Sequence, residues 1–414
     1  MKRLLLFAIF AHMTIQGFSQ DKNVLTSLLE SKPEYFGEIL KNAEKYRLQI
    51  IYTQIDRDKK NRPTFTGYGF RNGTSEYFYP ASTVKFPASL LALEKINNLK
   101  IKGLSKNSTM LTDAEFERHT PATRDTTSET GLPSVGHYIK KILMVSDNDA
   151  FNRLYEFVGQ EPFNETLHQK GYKNARIIHR LEVGMTPEQN RRTNPVRFFD
   201  GEKLIYQQPM VVSSKNYIPD TPIKLGKGYL KDDSLVNEPF DFTAKNYFPL
   251  NEQQAILKAV LFPEAVDAQH RFNLTAEDYK FLYQYMSQYP TESTFPAYGS
   301  SQDYFPAYCK FLLYGGDKNA VINPDIRIFN KVGDAYGFLL DNAYIVDFEK
   351  GIEFMLTAVI LCNHDEIFND SQYDYEKTGF PFMKHLGQTI YDFELTRPKK
   401  VKPDLRKFKM TYDK

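Results

Sequence analysis

The chain has 414 residues, 41% of them hydrophobic and 25% charged, with a formal net charge of +2. So small a charge excludes the strong field that draws a protein onto nucleic acid, and 32 Phe with 27 Tyr exclude a chain too poor in apolar surface to fold. The length admits one large domain or a few smaller ones.

In chain order, the N-terminus reads as a secretion signal. Lys2 and Arg3 precede the apolar run 4–13, and Gly17 and Ser19 supply small residues for cleavage before Gln20. The run is too short to span a bilayer, and no cysteine follows it to carry a lipid. No later segment is long and apolar enough to cross a membrane, so a periplasmic or secreted protein without a membrane span is expected. Residues 48–56 and 65–70 have strand composition around the polar turn 57–62. A helical run follows from Ser82 to about Asn97, with Leu90, Leu91, Leu93 and Ile96 as its apolar stripe. Residues 134–145 and 149–158 continue the helical pattern. Residues 195–250, rich in Pro, Gly and Tyr, suit loops or hairpins. Helical patterns return at 251–261, 275–288 and 302–314. Strand composition returns at 326–332, 341–348 and 352–361, with a hairpin turn at Gly351, and a last helix is expected over 375–392. Export permits a disulfide between Cys309 and Cys362, and two buried free thiols are the equal alternative.

Strands at both ends thus bracket a mostly helical middle. The expected division is a signal peptide (1–19), a discontinuous sheet domain (20–80 and 320–395), a helical domain (81–319) and a solvated basic tail (396–414). A site at the seam of the two domains is the natural expectation.

Three short motifs carry the chemistry. Ser82-Thr83-Val84-Lys85 at a helix start puts a hydroxyl and an amine on one face, a turn apart. A lysine whose pKa is lowered by burial or a nearby cation could take the serine's proton. Ser146-Asp147-Asn148 lies between two helical patterns. There Ser146 could relay a proton, Asn148 could bond Lys85 or a substrate amide, and Asp147 would tie down the loop. Lys331-Val332-Gly333 ends a strand: Lys331 could attract a substrate carboxylate and Gly333 admits close backbone approach. The N–H groups of Ser82 and Asp334 could then form an oxyanion hole. Each motif alone has an ordinary structural explanation, as a helix start, a helix cap or a surface lysine. Their joint occurrence in this order is what carries information.

S-x-x-K, S-D-N and a K-T-G-like triplet resemble the signature of class A β-lactamases and penicillin-binding proteins. STVKFPASLLAL is similar to that family's nucleophile helix and VSDNDAFNRLYEFVG to its S-D-N segment. KVGDAYGFLLDNAYIV is similar to its K-T-G strand, including Tyr336, Gly337 and Asp341. The likeness covers about 40–200 and 320–392, leaving about 200–319 as an insertion. It implies an α+β, serine β-lactamase-like fold: an antiparallel sheet with flanking helices plus an inserted all-helical domain. It also implies acyl transfer through Ser82, with no metal or organic cofactor, on a small-molecule or peptide acyl substrate.

Two departures stand out. Val332 replaces a hydroxyl residue that helps hold the substrate carboxylate in the family. In the stretch 180–195, Arg180-Leu181-Glu182 resembles the start of the family's omega loop and Pro187-Glu188-Gln189-Asn190 a later part, which puts Thr186 where the deacylating glutamate would stand. Glu182 and Glu188 are the substitutes on offer for that base, each equally readable as a loop-bracing carboxylate. His137 and His179 have no companions at metal-ligand spacing and read as structural. The functions left open are a β-lactam-hydrolysing enzyme, a penicillin-binding-type peptidase or esterase with slow deacylation, a non-catalytic binding protein on the same fold, and a structural envelope protein.

Overall fold

The computed structural model describes residues 23–73, 76–299 and 303–414. The expected signal peptide lies outside the described residues. The fold is mixed α+β, built around an antiparallel sheet of five strands: β1 (Gln49–Arg57), β2 (Pro63–Phe70), β3 (Ile326–Ala335), β4 (Phe338–Asp347) and β5 (Ile352–Leu361). Their order across the sheet is β3-β4-β5-β1-β2, so strands from both ends of the chain meet at the β5–β1 pairing.

Every residue of β4 is buried, because both faces of the sheet are covered. Side chains alternate along a strand. Phe338, Leu340, Tyr344 and Val346 therefore enter one core, with the helices Leu250–Leu261 and Ala276–Ser287. Leu339, Ala343 and Ile345 enter the other, with Val24–Glu30, Pro33–Lys41 and Phe380–Thr396. Burial on both faces is why these strands read as nearly unbroken apolar runs. Gly351 turns the β4–β5 hairpin at φ +65°, a conformation a side chain would strain.

The middle of the chain stacks the helices Lys85–Leu99, Val135–Val145, Asn148–Val158 and Gln160–Gln169, accompanied by short strand ribbons. The helix Lys85–Leu99 is buried nearly all round, as befits the centre of a bundle. Among the described residues no helix is long and apolar enough to cross a membrane.

Three expectations are corrected. Described residues between 303 and 314 form successive turns rather than a helix, and their aromatic side chains fill space beneath the sheet edge. The helices Leu250–Leu261 and Ala276–Ser287, assigned from sequence to the helical domain, pack on the sheet instead. The basic tail does not float in solvent. Leu405 and Phe408 are buried, Phe408 packs edge-on or tilted against Phe262, Tyr283, Phe329 and Tyr344, and Lys407 Nζ donates to the Leu261 carbonyl at 2.7 Å, closing a helix end. Charge counting misses this because two apolar residues among many lysines suffice to anchor a tail. Cys309 and Cys362 are both buried free thiols.

Candidate active site

The strand β3 is an edge strand, and the turn Ala81–Val84 packs beside it. An edge strand leaves alternate backbone groups without a sheet partner, available to whatever lies beside it. Gly333 is where the approach is tightest: a Cβ there would stand 2.9 Å from Ser82 N, 3.0 Å from Pro80 O and 3.1 Å from Thr83 N. Ala81, just before Ser82, holds φ +46°, a conformation uncommon for a non-glycine residue and frequent at functional turns. Ser82 itself is partly exposed and lines a cleft of about 520 Å³.

Below Ser82, Lys85 is fully buried. Its Nζ donates to Asn148 Oδ1 at 2.6 Å and to the Ser146 carbonyl, and lies 3.3 Å from Ser146 Oγ. Burial first, and the charge of Lys331 second, hold its amine well below the ordinary lysine value. Ser146 ends the helix Val135–Val145 at φ +61°, which swings its hydroxyl between two amines; Lys331 Nζ approaches the same Oγ to 2.8 Å. Asp147 caps the next helix, accepting from Ala150 N at 2.7 Å, as expected of a residue that ties down the loop.

Lys331 is buried and also donates to Val332 O at 2.8 Å. Burial lowers it to about 8, against the opposing pull of Cys309, Asp334 and Asp341. Val332 packs into the sheet core, where a methyl group suits the surroundings and a hydroxyl would need a partner. Behind the strand runs a buried chain that sequence reading missed in part. Lys310 Nζ donates to Asn330 Oδ1 at 2.7 Å, Asn330 Nδ2 donates to Asp341 Oδ1 at 2.8 Å, and Asp341 Oδ2 accepts from Leu312 N at 3.0 Å. Asp341 belongs to a motif singled out from sequence; Lys310 carried no signal, because it lies in a stretch read as an ordinary helix and outside every motif. Asp334 lines the cleft beside Ser82.

The stretch 180–195 is cross-braced from within. Arg180 Nε donates to buried Glu156 at 2.7 Å and Arg180 Nη2 to Asn194 Oδ1 at 3.0 Å. Asn190 Oδ1 accepts from Arg180 N at 3.0 Å, and Asn152 exchanges two hydrogen bonds with the Leu181 backbone. Thr186 opens the helical turn Pro187–Asn190 through a reciprocal cap with Gln189. This bracing delivers one candidate carboxylate and withholds the other. Glu182, at φ +55° and exposed, lines the cleft with Ser82. Glu188 is absent from the cleft: its carboxylate bonds Arg191 at 3.1 Å and also Arg192, on the outer surface. The arginines three and four positions further along hold it there, so the alternative base is corrected to a surface brace. His137 is structural as read, buried against Thr127 at 2.9 Å. His179 lies at the cleft beside Glu182, its ring stacked on Tyr79 and its Nδ1 bonded to the Arg180 carbonyl.

The fold and site define an α+β protein with a serine on the wall of a cleft, backed by two buried lysines that meet at a second serine. Residues 35–217 match a family described as the β-lactamase enzyme family. By that match and its three motifs the chain is β-lactamase-like, resembling class A β-lactamases and penicillin-binding proteins. Similar solved structures include a β-lactamase from Xanthomonas campestris pv. campestris (15% identity, 90% of this chain and 99% of that chain, TM-score 0.48). A class A β-lactamase from Clostridium kluyveri (13% identity, 87% and 98%, TM-score 0.48) and a β-lactamase from Chitinophaga pinensis (10% identity, 87% and 99%, TM-score 0.47) are others. No curated protein matches the chain.

Proposed function

We propose that the protein is an exported serine hydrolase that forms an acyl-enzyme at Ser82 and acts on β-lactams or related amides. The observation that carries this reading is the state of Lys85. A neutral amine has two N–H groups and one lone pair. The Asn148 side chain and the Ser146 carbonyl occupy the two N–H groups. The lone pair is left to take a proton from a hydroxyl, and the lowered pKa makes the neutral form accessible.

In this scheme Ser82 attacks the acyl carbon as Lys85 accepts its proton. Charge developing on the carbonyl oxygen is met by the N–H groups of Ser82 and Asp334. Ser146, bonded to Lys331 and near Lys85, passes a proton to the leaving nitrogen. The charge on Lys331 orients the hydroxyl of Ser146 and attracts an anionic substrate. Water then releases the acyl group, with Glu182 as the base that the cleft offers. The signal-like start of the chain supports action outside the cytoplasm. The reaction as written draws on side chains and backbone alone, and the partner it calls for is a small-molecule or peptide acyl substrate.

The sign of the pH dependence follows from the two lysines. Lys85 must be neutral, so acylation rises as pH climbs through its lowered pKa. Lys331 must be charged, and a lysine at about 8 is charged below that pH and neutral above it. The acylation rate is therefore expected to fall on the alkaline side with a midpoint near pH 8. In Lys331→Arg the fall should vanish up to about pH 10, because a guanidinium does not titrate there. Stopped-flow acylation with a chromogenic cephalosporin measures both profiles; a wild-type rate that stays level from pH 7 to 10 would sink this role for Lys331.

A second reading, a penicillin-binding-type enzyme that deacylates slowly, is favoured by Glu182 itself, which makes no hydrogen bond or ion pair among the described residues and so is not held in place. Intact mass measured over time after mixing with a penicillin separates the two. If Glu182 is the base, Glu182→Gln lengthens the adduct's life by about 100-fold or more while the adduct still forms. Glu188→Gln should change neither step. An adduct equally long-lived with and without the Glu182 carboxylate selects the slow enzyme.

A further inference from the structure

The segment after residue 217, beyond the family match, builds one wall of the cleft. Phe240 and Phe242 pack against Tyr336 at 5.6 and 5.4 Å, just past the end of β3, and Tyr336 meets Tyr79 edge-on at 5.0 Å. Lys245 emerges from this aromatic cluster. Its backbone is fixed by its neighbour: fully buried Asn246 accepts from Ile178 N at 2.7 Å and His179 N at 3.1 Å, and its carbonyl accepts from Tyr77 Oη at 2.8 Å. The half-buried Lys245 side chain lies along the rings of Phe240 and Tyr336, with Nζ 3.3 Å from Tyr336 Oη. Among the described residues no carboxylate stands within ion-pair distance of it.

Other cations nearby are already engaged. Lys85 and Lys331 are buried on Ser146, Arg180 on Glu156, and Lys215 on Glu165 at 2.6 Å. Arg191 shares Glu188 with Arg192. Among the described residues, Lys245 is thus the one cation lining the cleft that has no carboxylate partner. The cleft's own carboxylates, Glu182 and Asp334, are near enough to each other for Glu182 to raise Asp334 in small part, behind the larger effect of burial. Lys245 exerts no comparable effect on Asp334.

A second cavity of about 240 Å³ adjoins the first, and the two share His179, Val183, Gly184 and Lys245 as walls. Residues 182–184 form an exposed strap at this shared wall, and a Cβ on Gly184 would meet nothing within 4 Å. A substrate group long enough to pass the strap would reach an apolar surface of Met185, Ile218 and Tyr217 with Lys245 beside it.

We infer that Lys245 is a specificity residue that receives an anionic group on the acyl portion of the substrate, so that acyl donors with a carboxylate on the acyl side chain are preferred. The inference rests on the acyl-enzyme reading for its substrate class and on the geometry above for its charge. A preorganised, partly desolvated lysine with no competing carboxylate gives a charge-assisted contact its largest effect.

Two penicillins that differ in one group, a phenylacetyl side chain and its α-carboxylated counterpart, test this on the full chain. Binding without chemistry is measured by calorimetry on Ser82→Ala, and acylation is measured on the parent by intact mass. The carboxylated compound should bind Ser82→Ala about 10- to 100-fold more tightly than the neutral one. Lys245→Met, which keeps the apolar stem, should collapse that ratio to about one, and Lys245→Arg should restore most of it. Discrimination by Ser82→Ala with no adduct on the parent would sustain the anion site while refuting β-lactam acylation. Equal binding of the two penicillins, no binding of either, or a ratio that survives Lys245→Met overturns the inference, whatever the parent's acylation shows.

Discussion

Ser82→Ala is expected to leave no covalent adduct with any penicillin and to lower acyl transfer by roughly four orders of magnitude or more, the scale on which removing a nucleophile acts in serine hydrolases. The residual rate would come from binding and from backbone donors that the substitution leaves in place. The loss should not be one of folding. Ser82 is partly exposed and among the described residues makes no side-chain hydrogen bond that braces the turn, while Thr83 Oγ1 donates to Pro80 O at 2.7 Å and keeps the turn's shape. Unchanged thermal unfolding with abolished adduct formation is the paired outcome. A Ser82→Ala protein that still gains the mass of the drug would move the nucleophile elsewhere and end the proposed mechanism.

Gly333→Ala is expected to be the most damaging substitution outside the serine and Lys85. The added methyl would meet three backbone atoms of residues 80–83 at 2.9 to 3.1 Å, and backbone cannot rotate away as a side chain can. Either β3 or the turn must move by a few tenths of an ångström. An oxyanion hole made of donors on both elements loses its geometry in either case, for an expected fall of about 100- to 1,000-fold in acylation. The stability cost of such overpacking is about 1–3 kcal/mol, so the variant should fold. Single-turnover acylation beside a denaturation curve checks both halves. Near-parental acylation would mean that the closeness of β3 to Ser82 is structural only.

How much of this was readable before any coordinates varied with the physical signal. The three sheet strands near the C-terminus were legible because burial on both faces enforces apolar runs, and the helices Val135–Val145 and Asn148–Val158 because their apolar residues recur at helical spacing. The turns between 303 and 314 were misread, since aromatic residues packed beneath a sheet edge imitate a helical stripe. In the site, Ser82, Lys85, Ser146, Asn148 and Lys331 were named from short motifs, and the structure brings them together. Glu188 was named too, and two arginines hold it away. Lys310 and Lys245 were missed, since a lone lysine outside any motif looks the same whether it ends in solvent or in a core.

By itself the sequence determined the α+β class and which motif residues come together, because spacing along a helix or strand dictates which side chains share a face. Only the tertiary structure decided the charge states and the choices among like residues. It set Lys85 well below its ordinary value by burial beside Lys331, turned Glu182 into the cleft and Glu188 out of it, and left Lys245 without a carboxylate partner. Those outcomes depend on solvent exclusion and on neighbours distant in the chain, and neither is a property of local sequence.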